Sequence, residues 1–110
     1  MYNQKDIVQI PFPYSDLSGF KKRPALIISN HLVNTTEDRI CCLITRNFRK
    51  EDLEIKKEDL KIGSFPFKSF VRPHRIFTIH NAIIKKKICG IKDVFHNQVI
   101  TKLNSYIKKL

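Results

Sequence analysis

The stretch from Asp6 to Ser29, DIVQIPFPYSDLSGFKKRPALIIS, decides the fold because two apolar runs enclose a polar turn. Residues 7–10 and 25–28 have the length and the β-branched content of buried strands. Between them, Pro11 and Pro13 cannot donate to a sheet ladder, and residues 15–19 are rich in turn formers. The segment therefore predicts a β-hairpin with an exposed loop that starts at Pro11.

Composition limits the size of the protein and the class of partner. The 110 residues suffice for a single domain spanning 1–110, and 21 Lys and Arg against 10 Asp and Glu give a net charge of +11. Such a charge favours a polyanionic partner, which could be nucleic acid, an anionic membrane or an acidic protein. No apolar run approaches the roughly 20 residues of a membrane span, and the first residues do not resemble a signal peptide, so we expect a soluble cytoplasmic protein without membrane contact.

The apolar pattern along the rest of the chain is that of a β-rich protein. Polar connections are expected at 32–38, 46–52 and 58–66, and a helical turn at 30–33. Six strands are predicted, with a possible seventh at Ile88 to Ile91: Asp6 to Ile10, Pro24 to Ser29, Arg39 to Thr45, Leu53 to Lys56, Phe70 to Arg72 and Ile76 to Ile79. Cys41, Cys42 and Cys89 are odd in number and indicate small apolar residues rather than disulfides or a metal cluster.

The end of the chain changes period and predicts an amphipathic helix over residues 94–109, with Asp93 as its N-cap. The apolar stripe that must be buried consists of Val94, Phe95, Val99, Ile100, Leu103, Tyr106, Ile107 and Leu110. The predicted fold class is thus β-rich α+β, a small and strongly bent antiparallel sheet with a C-terminal helix.

The order of these segments resembles the MazF/PemK (Kid-like) toxins of type II toxin-antitoxin systems. Those proteins open with an Asp-Ile-Val strand, a proline-rich loop and an Arg-Pro entry to the second strand, as in Asp6 to Val8 and Arg23-Pro24 here. Ile44-Thr45, the segment 69–72 and the segment 88–91 follow in the family's order. The resemblance implies an SH3-like barrel of the CcdB/MazF/Kid kind.

The resemblance also implies an activity, which is metal-independent and sequence-selective cleavage of single-stranded mRNA. In that reaction the ribose 2′-hydroxyl attacks the adjacent phosphate, leaving a cyclic phosphate and a free 5′-hydroxyl. Arg23 would then act on the phosphate electrostatically, because a guanidinium matches phosphate oxygens and is a poor proton acceptor. Thr45 stands where the family has its catalytic threonine, and its hydroxyl can donate to a phosphoryl oxygen.

The sequence Arg72-Pro73-His74 departs from the family pattern. Kid-like members carry an arginine, one spacer and an aspartate, so Arg72 is retained whereas His74 stands in the place of the carboxylate. Histidine titrates near neutrality, and we expect His74 either to replace the aspartate in catalysis or to bind a base edge. An exposed loop histidine without a role is the alternative.

The same resemblance gives the partners. RNA contacts are expected from six residues: Ser15, Lys21, Lys22, Arg46, Ser69 and Arg72. Aromatic rings among these cations, such as Phe48 and Phe67, suit unstacked bases. A homodimer is implied, neutralised by an acidic antitoxin, and neither a cofactor nor a metal ion is expected.

Two other functions remain open from sequence. A CcdB-like protein that binds DNA gyrase would share the fold without catalytic residues, although Arg23, Thr45 and the basic charge argue against it. A catalytically inactive RNA-binding relative would keep the charge and lose cleavage. The recognised RNA sequence does not follow from the residues.

Overall fold

The computed structural model describes residues 1–13, 19–65 and 67–110, and Ser15 and Tyr14 lie outside them. It contains one seven-stranded sheet in the order β4-β6-β3-β2-β1-β7-β5, in which all pairs are antiparallel. The strands are β1 (Asp6–Pro13), β2 (Phe20–Ile27), β3 (Asp38–Thr45), β4 (Leu53–Ile55), β5 (Leu60–Ile62), β6 (Ser69–His80) and β7 (Lys86–Ile91). Two α-helices, α1 (His31–Asn34) and α2 (Asp93–Ile107), complete the fold with two short 3₁₀ turns, Lys57–Asp59 and Asn81–Ile83.

The β1–β2 hairpin is longer than predicted, because β1 runs through both prolines and Pro11 pairs with Lys22. The Lys85 amide donates to the Gln9 carbonyl, so odd positions of β1 face β7. The β1–β7 pairing ends at Gln9 and Lys86. The backbone nitrogens of Pro11 and Pro13 therefore point to the side of β1 where the pairing with β7 has already ended. Because that ladder no longer needs their N–H groups, β1 continues through both prolines without losing a β1–β7 hydrogen bond.

Three further boundaries differ from prediction. The two strands expected at 70–72 and 76–79 are one strand, β6, whose pairing with β3 skips residues 73–75 between Arg72 and Ile76, which is a β-bulge. The connection expected at 58–66 contains β5, which pairs with β7. Helix α2 begins at Asp93 with Lys92 in the N-cap position, so Asp93 is the first helical residue rather than the cap.

The core lies mainly between the sheet and α2. Its largest cluster joins strand residues such as Ile7, Leu26 and Val71 to Phe95 and Val99 of the helix. The apolar stripe of α2 is buried only in its middle part, because Val94 and Ile107 near its two ends are 71% and 70% exposed. A second cluster on the other face of the sheet contains Val8, Ile10, Ala25, Ile27, Cys41 and Ile84.

The cysteines belong to the core, as the sequence predicted. Cys41, Cys42 and Cys89 are free and buried. Burial raises the pKa of the Cys41 and Cys42 thiols to about 12, so both stay protonated near neutrality. These thiols therefore contribute packing rather than nucleophiles.

Candidate active site

A cleft of about 760 Å³ opens where β2 and β3 part, beside β1, β7 and the chain before β6. We call this the cleft. Its lining comprises Gln9, Lys21, Lys22, Arg23, Pro24, Ile44, Thr45, Arg46, Asn47, Phe65, Phe67, Ser69, Lys86, Lys87 and Ile88. Arg23 and Thr45, which are far apart in sequence, are thus brought to one cavity together with four of the predicted RNA-binding residues: Lys21, Lys22, Arg46 and Ser69.

Pro24 explains why the sheet opens at this point. The β2–β3 ladder runs from Ile27 and Cys41 to Ala25 and Leu43 and stops there. The Ile28 amide donates to the Ile40 carbonyl, so even positions of β2 face β3. Position 24 faces the same way, and a proline there has no N–H to donate. The strands separate at this missing bond, and the cleft occupies the space between them.

In the register of this ladder, Arg23 and Thr45 are the positions two residues beyond Ala25 and Leu43, and both line the cleft. Arg23 is partly exposed, whereas Thr45 is only 9% exposed at the end of β3. The Thr45 hydroxyl oxygen accepts the Asn47 amide at 3.1 Å. Among the described residues no acceptor takes the Thr45 hydroxyl proton, which leaves that proton able to bond a ligand in the cleft.

The described lining of the cleft carries six cations and no carboxylate: Lys21, Lys22, Arg23, Arg46, Lys86 and Lys87. Lys87 also pairs with Asp6 at 3.1 Å. The RNA contacts expected from the sequence did not include Lys86 and Lys87. Their place depends on the pairing of Gln9 with Lys86 and of Val8 with Lys87, which no local pattern reveals.

One wall of the cleft combines a cation with aromatic rings. The Arg46 guanidinium lies 4.3 Å from the centre of the Phe67 ring, in a cation–π arrangement. Phe67 is 54% exposed, and Phe65 lines the cleft beside it. Flat groups of this kind offer stacking surfaces to unpaired bases.

Arg72 is not part of this lining. It is buried and donates from Nε and Nη2 to the two Asp52 carboxylate oxygens, at 3.1 Å and 3.0 Å. Nη2 also donates to the Asn47 carbonyl. The guanidinium that sequence reasoning assigned to RNA is therefore engaged within the protein, behind the loop that carries Arg46 and Asn47.

His74 lies in the β6 bulge and is also outside the cleft lining. Its ring meets Tyr106 of α2 edge-on, with 5.9 Å between the ring centres. The structure thus does not bring His74 to Arg23 and Thr45. The bulge is the reason, since the residues that skip the ladder are carried toward the C-terminal helix.

Residues 1–13, 19–65 and 67–110 contain no group of three or more His, Cys, Asp or Glu side chains placed to hold a metal ion. In the same part of the chain, no helix is both long enough and apolar enough to cross a membrane.

Comparison with known proteins identifies the family. A model described as PemK-like, MazF-like toxin of type II toxin-antitoxin system matches residues 3–107. The chain belongs to this family. The resemblance read from the sequence is thereby confirmed, although no curated protein sequence matched this toxin.

Solved structures similar to this toxin share its fold at low sequence identity. An endoribonuclease from a mycobacterial species, in complex with its cognate antitoxin, aligns with a TM-score of 0.80 at 16% identity over 100% of both chains. MazE–MazF from Deinococcus radiodurans aligns with a TM-score of 0.78 at 16% identity, covering 96% of this chain and 95% of that one. MazF alone from the same organism gives 0.71 at 17% identity, with 96% of each chain covered.

These alignments confirm the predicted fold class, which is a nearly closed seven-stranded antiparallel barrel with a C-terminal helix. The expected enzyme class is that of the MazF-like family to which the chain belongs. Two of the similar structures, both from mycobacterial species, are endoribonucleases. The roles of individual residues rest on the geometry of the cleft.

Proposed function

We propose that this toxin is a metal-independent endoribonuclease that cleaves single-stranded mRNA in the cytoplasm and thereby inhibits translation. The ribose 2′-hydroxyl attacks the adjacent phosphate, and the products carry a cyclic phosphate and a 5′-hydroxyl. The observation that carries this proposal is the meeting of Arg23 and Thr45 in a cleft whose described lining is cationic and without carboxylates.

Arg23 and Thr45 supply the fixed donors that such a reaction needs. As the phosphorus becomes pentavalent, negative charge grows on its non-bridging oxygens, and a guanidinium fork stabilises that charge through two N–H groups. The Thr45 hydroxyl, oriented by the Asn47 amide, donates one more hydrogen bond. Neither group is suited to accept the 2′-proton, because arginine stays protonated in proteins and threonine is a weak base.

The walls of the cleft favour single-stranded over duplex RNA. Lys21, Lys22 and Lys86 line it with positive charge, and Arg46 and Phe67 offer a flat surface. Unpaired bases stack on such surfaces while their phosphates meet cations. Bases within an A-form helix are already stacked and are not available to them.

The same charge supports regulation by an acidic antitoxin. A net charge of +11 favours capture of an acidic, disordered segment, and the similar mycobacterial endoribonuclease was solved with its cognate antitoxin. We extend the proposal to a homodimer in which such a segment occupies the cleft and excludes RNA.

The test is incubation of the purified protein with end-labelled single-stranded RNA in excess EDTA. Wild type should cleave and leave cyclic phosphate ends, whereas Arg23→Ala and Thr45→Ala should cleave at least tenfold more slowly. Arg75→Ala is the matched control, since Arg75 is exposed in the β6 bulge and does not line the cleft. Intact RNA in shifted complexes would indicate an inactive RNA-binding protein, and inhibition of supercoiling would indicate a gyrase-binding toxin.

A further inference from the structure

A buried ion pair lies directly behind the cleft. The carboxylate of Asp52 and the guanidinium of Arg72 meet through two hydrogen bonds of 3.1 Å and 3.0 Å, and their side chains are only 1% and 6% exposed. Such a bidentate pair fixes orientation as well as distance. Pairs of this kind often give no more stability than apolar residues of the same volume, so stability alone is a weak reason for its presence.

The pair holds the loop of residues 46–52, here called the 46–52 loop, from two sides. Asp52 Oδ2 also accepts the Arg49 amide at 2.9 Å, while the Asp52 amide donates to the Arg49 carbonyl at 3.0 Å. Arg72 Nη2 donates to the Asn47 carbonyl at 3.0 Å. Glu51 adopts a left-handed conformation with φ of 79° in the turn of this loop.

Asn47 connects this network to the cleft. Its carbonyl is held by Arg72, and its amide donates to the Thr45 hydroxyl oxygen. Arg72 is itself fixed by the sheet, because it pairs with Leu43, two residues before Thr45 on β3. A continuous series of hydrogen bonds therefore runs from Asp52 through Arg72 and Asn47 to Thr45.

We propose that Asp52 is a positioning residue for RNA cleavage, acting through Arg72 and Asn47 to hold the Thr45 hydroxyl toward the scissile phosphate. The inference rests on the proposed function, since Asp52 is assigned to the same site and acts on its Thr45 hydroxyl. The proton of the Thr45 hydroxyl is directed to a substrate oxygen only when the hydroxyl oxygen accepts the hydrogen bond from the Asn47 amide. Losing that orientation lowers the turnover rate, whereas RNA affinity, which depends on the exposed cations, is retained.

The test compares kcat and KM for RNA cleavage by wild type, Asp52→Asn and the paired variant Asp52→Leu/Arg72→Met. The paired variant is needed because removing one partner of a buried ion pair leaves the other charge buried without compensation and can unfold the protein, whereas replacing both with apolar residues preserves packing. We expect kcat to fall at least tenfold with KM within about threefold of wild type, at a melting temperature near that of wild type. Glu51→Gln is the matched control, since this neighbouring carboxylate pairs with Lys102 at the surface and should leave both constants unchanged.

The decisive measurement repeats these substitutions in a Thr45→Ala background. If Asp52 acts through the Thr45 hydroxyl, the second change should cause no further loss of kcat. The positioning role is wrong if the paired variant folds and keeps the wild-type kcat. It is also wrong if the substitutions lower kcat in the Thr45→Ala background by the same factor as in wild type. Either result leaves the proposed function intact. Failure of wild type to cleave, or equal cleavage by Thr45→Ala, overturns both.

Discussion

Arg23 and Thr45 occupy corresponding positions two residues beyond Ala25 and Leu43, the last paired residues of β2 and β3, and Pro24 is the reason that the pairing stops before them. Had the ladder continued, hydrogen bonds between positions 24 and 44 would hold the two strands together and close the space between them. The Arg-Pro step thus places the cation that we propose for phosphate binding directly beside the residue that interrupts the ladder.

The geometry of the Arg23 guanidinium predicts that lysine is a poor substitute. Arg23→Lys keeps the charge but loses the planar fork that engages two phosphate oxygens together. We expect single-turnover cleavage to slow by about 10² to 10³, the typical effect of removing one transition-state donor, with little change in RNA affinity. Rapid-quench cleavage and filter binding measure the two quantities separately.

Arg75→Lys provides the comparison, because this arginine is exposed outside the cleft. It should cleave at the wild-type rate. If Arg23→Lys also cleaves at that rate, charge alone suffices and the bidentate role of Arg23 is wrong.

A second prediction concerns Pro24 itself. Pro24→Ala restores an N–H that faces β3 and can bond the Ile44 carbonyl, extending the ladder across the mouth of the cleft. The new bond contributes about 0.5 to 1.5 kcal/mol, and the loss of the proline constraint costs about 0.4 to 1 kcal/mol, so the free energy of unfolding should change little. Cleavage should nevertheless fall on the order of tenfold, because the reacting groups are displaced.

Amide hydrogen exchange and RNA cleavage on the same sample test this prediction. The amide at position 24 should be protected in the variant. Pro11→Ala is the control, since that proline faces the side where β7 has ended, and its cleavage rate should match wild type. Full activity together with a protected amide at 24 would show that the cleft does not depend on the interrupted ladder.

Much of the fold could be predicted because each strand segment carries its own apolar pattern, and the Ile7 and Ala25 runs are clear examples. β5 was missed because Leu60–Ile62 has only three residues, one of them polar, so its strand state depends on pairing with β7 rather than on propensity. The cleft residues on β2 and β3 were found through the family resemblance. Lys86 was missed because its place depends on sheet register between segments far apart in sequence.

The part that sequence position suggested for His74 remains a prediction, which its place in the structure does not favour. Its neighbour is Tyr106, and it does not line the cleft. We expect His74→Gln to cleave RNA within about twofold of wild type and to keep the same pH–rate profile. The lost edge-on contact should cost at most about 1 kcal/mol of unfolding free energy.

A pH–rate series from pH 5 to 9 on His74→Gln and wild type tests this directly. Tyr106→Leu, which removes the other partner of the contact, should behave in the same way. Loss of one limb of the profile in His74→Gln alone would restore the histidine to the mechanism.

Because Lys86 lines the cleft, we expect its removal to change the salt dependence of RNA binding. Each phosphate contact to a single strand adds about −0.7 to the slope of log K against log salt concentration. Lys86→Ala should therefore make that slope shallower by about 0.7 and weaken binding at low salt, with a smaller effect at high salt. Lys57→Ala, an exposed lysine in a 3₁₀ turn outside the cleft lining, should leave the slope unchanged. Equal slopes for Lys86→Ala and wild type would remove Lys86 from the RNA path.

The burial of His96 predicts that the folded protein loses stability on mild acidification. Its side chain is buried in the first turns of α2, and its Nδ1 has no hydrogen-bond partner among the described residues. Burial, and secondly the Lys5 cation, lower the pKa of His96 below its ordinary value of 6.5, while Asp93 opposes them. Below pH 6.5 the unfolded chain then binds a proton that the folded chain does not, so the free energy of unfolding should decrease as the pH falls from about 7 toward the lowered pKa.

Thermal melting of wild type and His96→Gln at half-unit steps from pH 7.5 to 5.5 measures the effect, and the variant should show a flatter dependence of melting temperature on pH. His31→Gln, an exposed histidine, should keep the wild-type slope, and an equally steep curve for His96→Gln would place the acid sensitivity elsewhere.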